Sequence, residues 1–126
     1  MKALSIRQPW AWAIINAGKR IENRSWNCRY RGPILLHASQ GMTADEYMDF
    51  YQFYDGEFGE EPTFLLLPAF GNLQRGGIVG RAVIVDCVTE SNDPWFFGPY
   101  GIVLDEVEPL PFRPLKGMLG LFEVPE

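Results

Sequence analysis

Two cysteines and one histidine are all that 126 residues offer to disulfide or soft-metal chemistry. Cys28 and Cys87 stand alone, with neither a Cys-x-x-Cys spacing nor a His-rich neighbour. Each therefore reads as a buried free thiol, and neither a disulfide framework nor a metal site is expected. No apolar run approaches the roughly 20 residues that span a bilayer. The segment Met1–Trp10 lacks both a long apolar core and a small-residue cleavage site. The expectation is a cytoplasmic protein with no membrane partner. Internal repeats, linkers and low-complexity blocks are also missing, which leaves one domain over residues 1–126 with no cofactor implied. What is present suffices for a core: 47% of the residues are hydrophobic. A chain of this size buries about two-thirds of its unfolded surface, so disorder is excluded.

Charge gives two conflicting signals. The net charge of −5 argues against a nucleic-acid binder, because phosphate contacts need Lys and Arg. The distribution is lopsided, however. Lys2, Arg7, Lys19, Arg20, Arg24, Arg29 and Arg31 all fall within residues 1–40, where Glu22 is the lone acid. Such asymmetry permits a local positive patch on an acidic molecule. Residues 41–62 carry the opposite bias, with acids and no Lys or Arg.

Along the chain, Gln8–Gly18 reads as a short helix, with Trp10, Ile14 and Ala17 on one face, Pro9 at its first position and Gly18 at its left-handed end. An extended stretch follows around Arg20–Trp26, then a basic turn at Arg29–Pro33 and a strand at Ile34–Ala38. Thr43-Ala44-Asp45-Glu46 is a capping box. It opens a helix whose Tyr47, Phe50, Tyr51 and Tyr54 share a face. That helix is either a solvated acidic surface packed by its aromatics or a flap over a site. Residues 55–76 read as an irregular excursion. Gly77–Val88 is the clearest strand, β-branched on both faces as suits a covered sheet, with Gly80 marking a bulge or bend. Further strands are expected at about Tyr100–Val107 and Leu119–Val124. Strands with only two helices between them indicate an α+β fold, a small mixed barrel with helices packed around it.

Three segments together carry a resemblance: Leu4-Ser5-Ile6-Arg7-Gln8-Pro9-Trp10-Ala11, Ala17-Gly18-Lys19-Arg20-Ile21-Glu22-Asn23-Arg24-Ser25-Trp26, and Tyr30-Arg31-Gly32. They resemble the ASCH (activating signal cointegrator homology) family, whose signature is G-x-K-x-x-E-x-R. Lys19, Glu22 and Arg24 fall on its last three fixed positions, while Ala17 stands where the glycine belongs and Gly18 follows it. The Trp95-Phe96-Phe97-Gly98 turn and Leu115-Lys116-Gly117 also look like the family, and the Gln-Pro-Trp opening is similar to the subgroup of a eukaryotic transcription coactivator. The resemblance implies a PUA-like barrel with a cleft between the first helix and the sheet. It also implies RNA or DNA binding, or, as in a few bacterial relatives, ribonuclease activity or amidohydrolase activity on acetylated cytidine. Those amidohydrolases use Thr where this chain has Glu22, which cannot replace the hydroxyl.

The residues themselves allow more than one chemistry. In an extended segment Glu22 and Arg24 project to one face, with Lys19 at its entrance. Such a cluster can hold a phosphate with its cations while Glu22 orients them. It can also run acid–base chemistry through Lys19 and Glu22, or be a surface salt-bridge ladder. Trp10 and Trp26 are candidates to stack a base, and Trp95–Phe97 to line the cleft mouth. Gln8 either reads a base edge or caps the adjacent helix. A strand end facing the cleft would place Ser39 near a phosphate, and His37 and Ser39 with no nearby Asp make no nucleophilic triad. Arg29, Arg31 and Arg7 would steer phosphates, and Arg81 either snorkels or pairs with a cleft carboxylate. The leading expectation is a nucleic-acid or nucleotide-binding module with a basic, aromatic-lined cleft. The alternatives are a hydrolytic enzyme and a protein-interaction module whose partner surface is the acidic 41–62 region.

Overall fold

The computed structural model describes residues 1–125, apart from the side chains of residues 64 and 65. Among the described residues six strands form a single sheet: β1 (Lys2–Ile6), β2 (Ile21–Arg24), β3 (Gly32–Ala38), β4 (Gly77–Val88), β5 (Tyr100–Pro114) and β6 (Leu121–Glu123). Their order is β2-β5-β4-β3-β1-β6, and every neighbouring pair is antiparallel except β1 with β3. Helix α1 (Trp10–Asn16) follows β1, and α2 (Ala44–Phe58), the short α3 (Thr63–Leu66) and a 3-10 turn at Phe70–Asn72 separate β3 from β4.

The sheet curls into a half-barrel. Three strands lie between β2 and β1 in the sheet, yet Arg24 Nη2 of β2 donates to the Ser5 carbonyl of β1 at 2.8 Å. Extra residues cause such bending, because a bulge increases the local twist of the strand that carries it. The β4–β5 ladder shifts register between Ile78 and Gly80, between Arg81 and Val83, and between Ile84 and Asp86. The glycine expected to mark a bulge does so. A Cβ at Gly80 would also lie 2.9 Å from Ile15 Cδ1, so its absence lets α1 settle on the barrel. The concave side closes over Leu4, Ile6, Ile34, Leu36, Ile84 and Ile102, all buried.

Several boundaries differ from the sequence reading. β5 runs seven residues past Val107, to Pro114, despite Pro109, Pro111 and Pro114. β2 pairs with Tyr100–Val103 and the Arg20 carbonyl accepts from Leu104 N; past Leu104, among the described residues, no strand pairs with that edge of β5, so the missing proline N–H groups interrupt no ladder there. α2 extends to Phe58, and short helical turns replace much of the irregular excursion. The final strand contracts to Leu121–Glu123. Pro9 stands at the N-cap of α1 rather than its first turn. β4 is covered only in its first half, and Val85 is exposed. Cys28 is buried but Cys87 only partly so.

The capping box of α2 forms as read. Glu46 N donates to Thr43 Oγ1 at 3.1 Å, and Thr43 N donates to Glu46 Oε1 at 2.9 Å. Arg7 reaches the same carboxylate, donating Nε to Glu46 Oε2 at 2.8 Å, and its hydrogen bond is the chief reason the Glu46 carboxyl is held at about 2 instead of 4.5. A carboxyl with a depressed native value adds stability above its unfolded value and loses it as the pH falls through the native one. The urea midpoint of Glu46→Gln is therefore expected to lie below that of wild type above pH 4.5, with the gap closing as the pH approaches 2. A gap that stays constant over that window would refute the assignment.

Candidate nucleic-acid interface

Gly18, at φ +74°, ends α1 in a conformation that L side chains rarely adopt and turns the chain into β2. The turn carries Lys19 inward, where it is 1% exposed. Its Nζ donates to Glu22 Oε1 at 2.7 Å and to the Ile21 carbonyl, and lies 5.9 Å from the centre of the Trp10 ring. The two-residue repeat of β2 brings Glu22 and Arg24 to one face, as expected. Glu22 Oε2 accepts from Arg24 Nε at 3.2 Å and Nη2 at 2.9 Å. Burial alone would raise the Glu22 carboxyl, but Lys19 and Arg24 together outweigh it and hold the group below its usual value. Both carboxylate oxygens are engaged. An ammonium has three N–H donors and a guanidinium five, so Lys19 keeps one donor beyond its two bonds. Among the described residues nothing takes the Nη1 hydrogens of Arg24.

The cluster forms one wall of an open cleft of about 840 Å³. Ser5, His37 and Ser39, from the ends of β1 and β3, line another side. Trp10 and the exposed Phe97 also line it, as does the segment from Lys116 to Gly120. Among the described residues Arg7, Lys19, Arg24 and Lys116 line this space against one acid, Glu22, although Arg7 is already paired with Glu46. The cleft is thus positive on a molecule whose net charge is −5.

Of the residues singled out from sequence, Trp10, Lys19, Glu22, Arg24 and Ser39 are brought together here, and Gln8, Trp26, Arg29 and Arg31 are not. Gln8 is buried and spans two backbones, accepting from Trp12 N at 2.8 Å and donating to the Gln74 carbonyl at 2.8 Å. It caps α1. Trp26 lies beyond the end of β2 and packs against the main core. Arg31 turns back on its own loop, donating to the Cys28 carbonyl at 2.9 Å and the Tyr30 carbonyl at 3.0 Å. Arg29 is exposed away from the cleft. Arg81 pairs with Glu108 at 2.9 Å on the outer surface, so its partner is not a cleft carboxylate. Trp95 is buried among aromatics, which leaves Phe97 as the member of that turn on the cleft. Ser5, Lys116 and Gly117 were not singled out as site residues. Their sequence signal was their place in the matching opening and in Leu115-Lys116-Gly117.

A curled α+β half-barrel with a cation-lined, aromatic-flanked cleft beside its first helix defines a small PUA-like domain. The ASCH domain family model matches residues 4–97, and the chain belongs to that family. It is similar to human Activating signal cointegrator 1 (Homo sapiens), with 26% identity over 91 residues, covering 69% of this chain and 14% of that protein. The chain therefore corresponds to a small part of that relative's length.

Proposed function

We propose that this domain binds nucleic acid, RNA or DNA, by seating one base in the cleft beside Trp10 while Lys19, Arg24 and Lys116 engage acceptors and phosphate. The observation that carries the reading is the reversal of charge: Lys19, Arg24 and Lys116, with Arg7 already paired to Glu46, outweigh Glu22 in the cleft of an acidic protein. Phosphate contacts need such a local field, and aromatic side chains supply sequence-tolerant stacking at roughly 1–3 kcal/mol per base. The ASCH resemblance, with its Gln-Pro-Trp opening, points the same way.

The alternatives draw less support. A general base works best when its proton affinity is raised toward the operating pH, and Lys19 and Arg24 instead hold the Glu22 carboxyl below its usual value. The acidic helix α2 offers charge to a protein partner, but its aromatic face is packed inward.

Fluorescence anisotropy with short single- and double-stranded RNA and DNA over a salt series tests the reading, with gels of the same samples to follow cleavage. Wild type is expected to bind with an affinity that falls steeply with salt and to leave the strands intact. Lys116 is exposed on the cleft's lip, so Lys116→Ala is expected to fold normally. It should lower the salt slope by roughly 0.7, the loss of one phosphate contact on a single strand. Absence of binding to any strand would overturn the proposal, and cleavage would move it to the enzyme reading.

A further inference from the structure

One wall of the cleft is built from a chain of hydrogen bonds whose direction can be worked out link by link. His37 is the sole histidine of the sequence and is 1% exposed. Its Nε2 lies 2.6 Å from the Leu115 carbonyl, its Nδ1 lies 2.9 Å from Ser5 Oγ, and Ser5 Oγ lies 2.9 Å from Ser39 Oγ. A carbonyl oxygen only accepts, so Nε2 must carry the hydrogen. In the neutral ring Nδ1 is then a bare lone pair, and Ser5 must donate to it. That uses the only hydroxyl hydrogen of Ser5, so its bond to Ser39 requires Ser39 to donate. The last oxygen, Ser39 Oγ, is left with lone pairs and no free hydrogen. Gly117 closes over the first links. A Cβ there would lie 2.8 Å from Ser5 Oγ and 2.7 Å from His37 Cε1, so its backbone rests on the Ser5–His37 pair.

Resting on the nucleic-acid reading of the same cleft, we propose that Ser39 is an acceptor-only reader that selects a base bearing an exocyclic amino group over its keto counterpart. The opposite wall complements it, because the spare hydrogens of Lys19 and Arg24 are donors only. An amino group donates to the Ser39 lone pairs. A keto oxygen meets an acceptor, and pairing it would require Ser39 to turn its hydrogen away from Ser5 and break the chain. His37 does not touch the base. It is a positioning residue that sets the polarity of Ser39 through Ser5.

The test uses short single strands with one base flanked by abasic positions, compared at pH 8 by anisotropy: cytosine against uracil, and adenine against hypoxanthine. The amino member of each pair is expected to bind roughly five- to tenfold tighter, the effect of one net hydrogen bond. Ser39→Ala should bring both pairs within about twofold. Wild type that binds but shows no amino preference would overturn the inference and leave the nucleic-acid reading standing, as would a Ser39→Ala protein that keeps the preference. Binding to neither member would end both. A second readout needs no variant: nitrogen-15 spectra of the single histidine at pH 8 should show the Nε2–H tautomer, and an Nδ1–H tautomer would overturn the relay whatever the binding data show.

Discussion

Glu22→Gln is expected to lower the unfolding free energy by about 3–5 kcal/mol, the range found when one member of a buried ion pair is removed. Among the described residues the carboxylate is the one acid lining the cleft, and it serves Lys19 on one oxygen and Arg24 on the other. A glutamine side chain keeps one acceptor and turns the second into an N–H donor aimed at a cation. Lys19, at 1% exposure, cannot swing out to water without unpacking the turn after α1. Lys19→Met should cost less, because Glu22 keeps both bonds from Arg24. The double variant Lys19→Met with Glu22→Gln should recover part of the loss, since it leaves one fewer buried cation unpaired. Urea denaturation of the three proteins measures this directly. The Glu22 carboxyl lies below its usual value because its two cations outweigh burial, so the stability it contributes is complete above pH 4.5 and is lost as the pH falls through its native value. The gap between wild type and Glu22→Gln should narrow in that acid range. A loss under about 1 kcal/mol at neutral pH, the scale of an exposed pair, would show that the cluster is solvated.

The second large effect is expected at Phe50→Ala, at about 3–5 kcal/mol for truncating a fully buried phenylalanine. Phe50 is 0% exposed and meets Trp10 edge-on at 4.8 Å, Trp12 at 6.2 Å, Tyr54 at 5.6 Å and Trp95 at 6.4 Å. Most outward positions of α2 are polar or acidic, so this aromatic cluster, with the Arg7–Glu46 pair at the N-terminus, holds the helix to the half-barrel. Truncation opens a cavity where the stacked rings cannot collapse, and it removes the support behind Trp10. Two readouts are expected to move together: the urea midpoint, and amide exchange within α2, which should rise toward that of an unpacked helix. Affinity for a strand should fall as well, because Trp10 flanks the cleft. Exchange in α2 unchanged from wild type would show that the helix is held by something other than this cluster.

Much of the fold was legible because it is local. The Thr43–Glu46 capping box, the aromatic face of α2, the glycine that ends α1 and the β-branched run of β4 all depend on residues within a turn or a pleat of one another. The juxtaposition of Glu22 and Arg24 was legible for the same reason, since a strand repeats every two residues. The limits of β5 were not, because whether a proline ends a strand depends on whether a neighbour needs its N–H. Likewise Gln8 could read a base or cap a helix on sequence grounds, and the structure decided for the cap, with its oxygen taken by Trp12 N and its amide N–H by the Gln74 carbonyl.

By itself, then, the sequence determined the α+β class, most of the elements, the family and the Lys19–Glu22–Arg24 cluster. Tertiary structure alone decided what faces that cluster. The curl of the sheet brings Arg24 to Ser5, and the return of the chain before β6 sets Leu115 against His37, 78 positions away. It also excluded Trp26, Arg29 and Arg31 from the cleft while adding Ser5 and Lys116. The physical reason is that local preference limits backbone angles and faces, whereas the lining of a cleft depends on bulges, register and closure, which accumulate over the whole sheet.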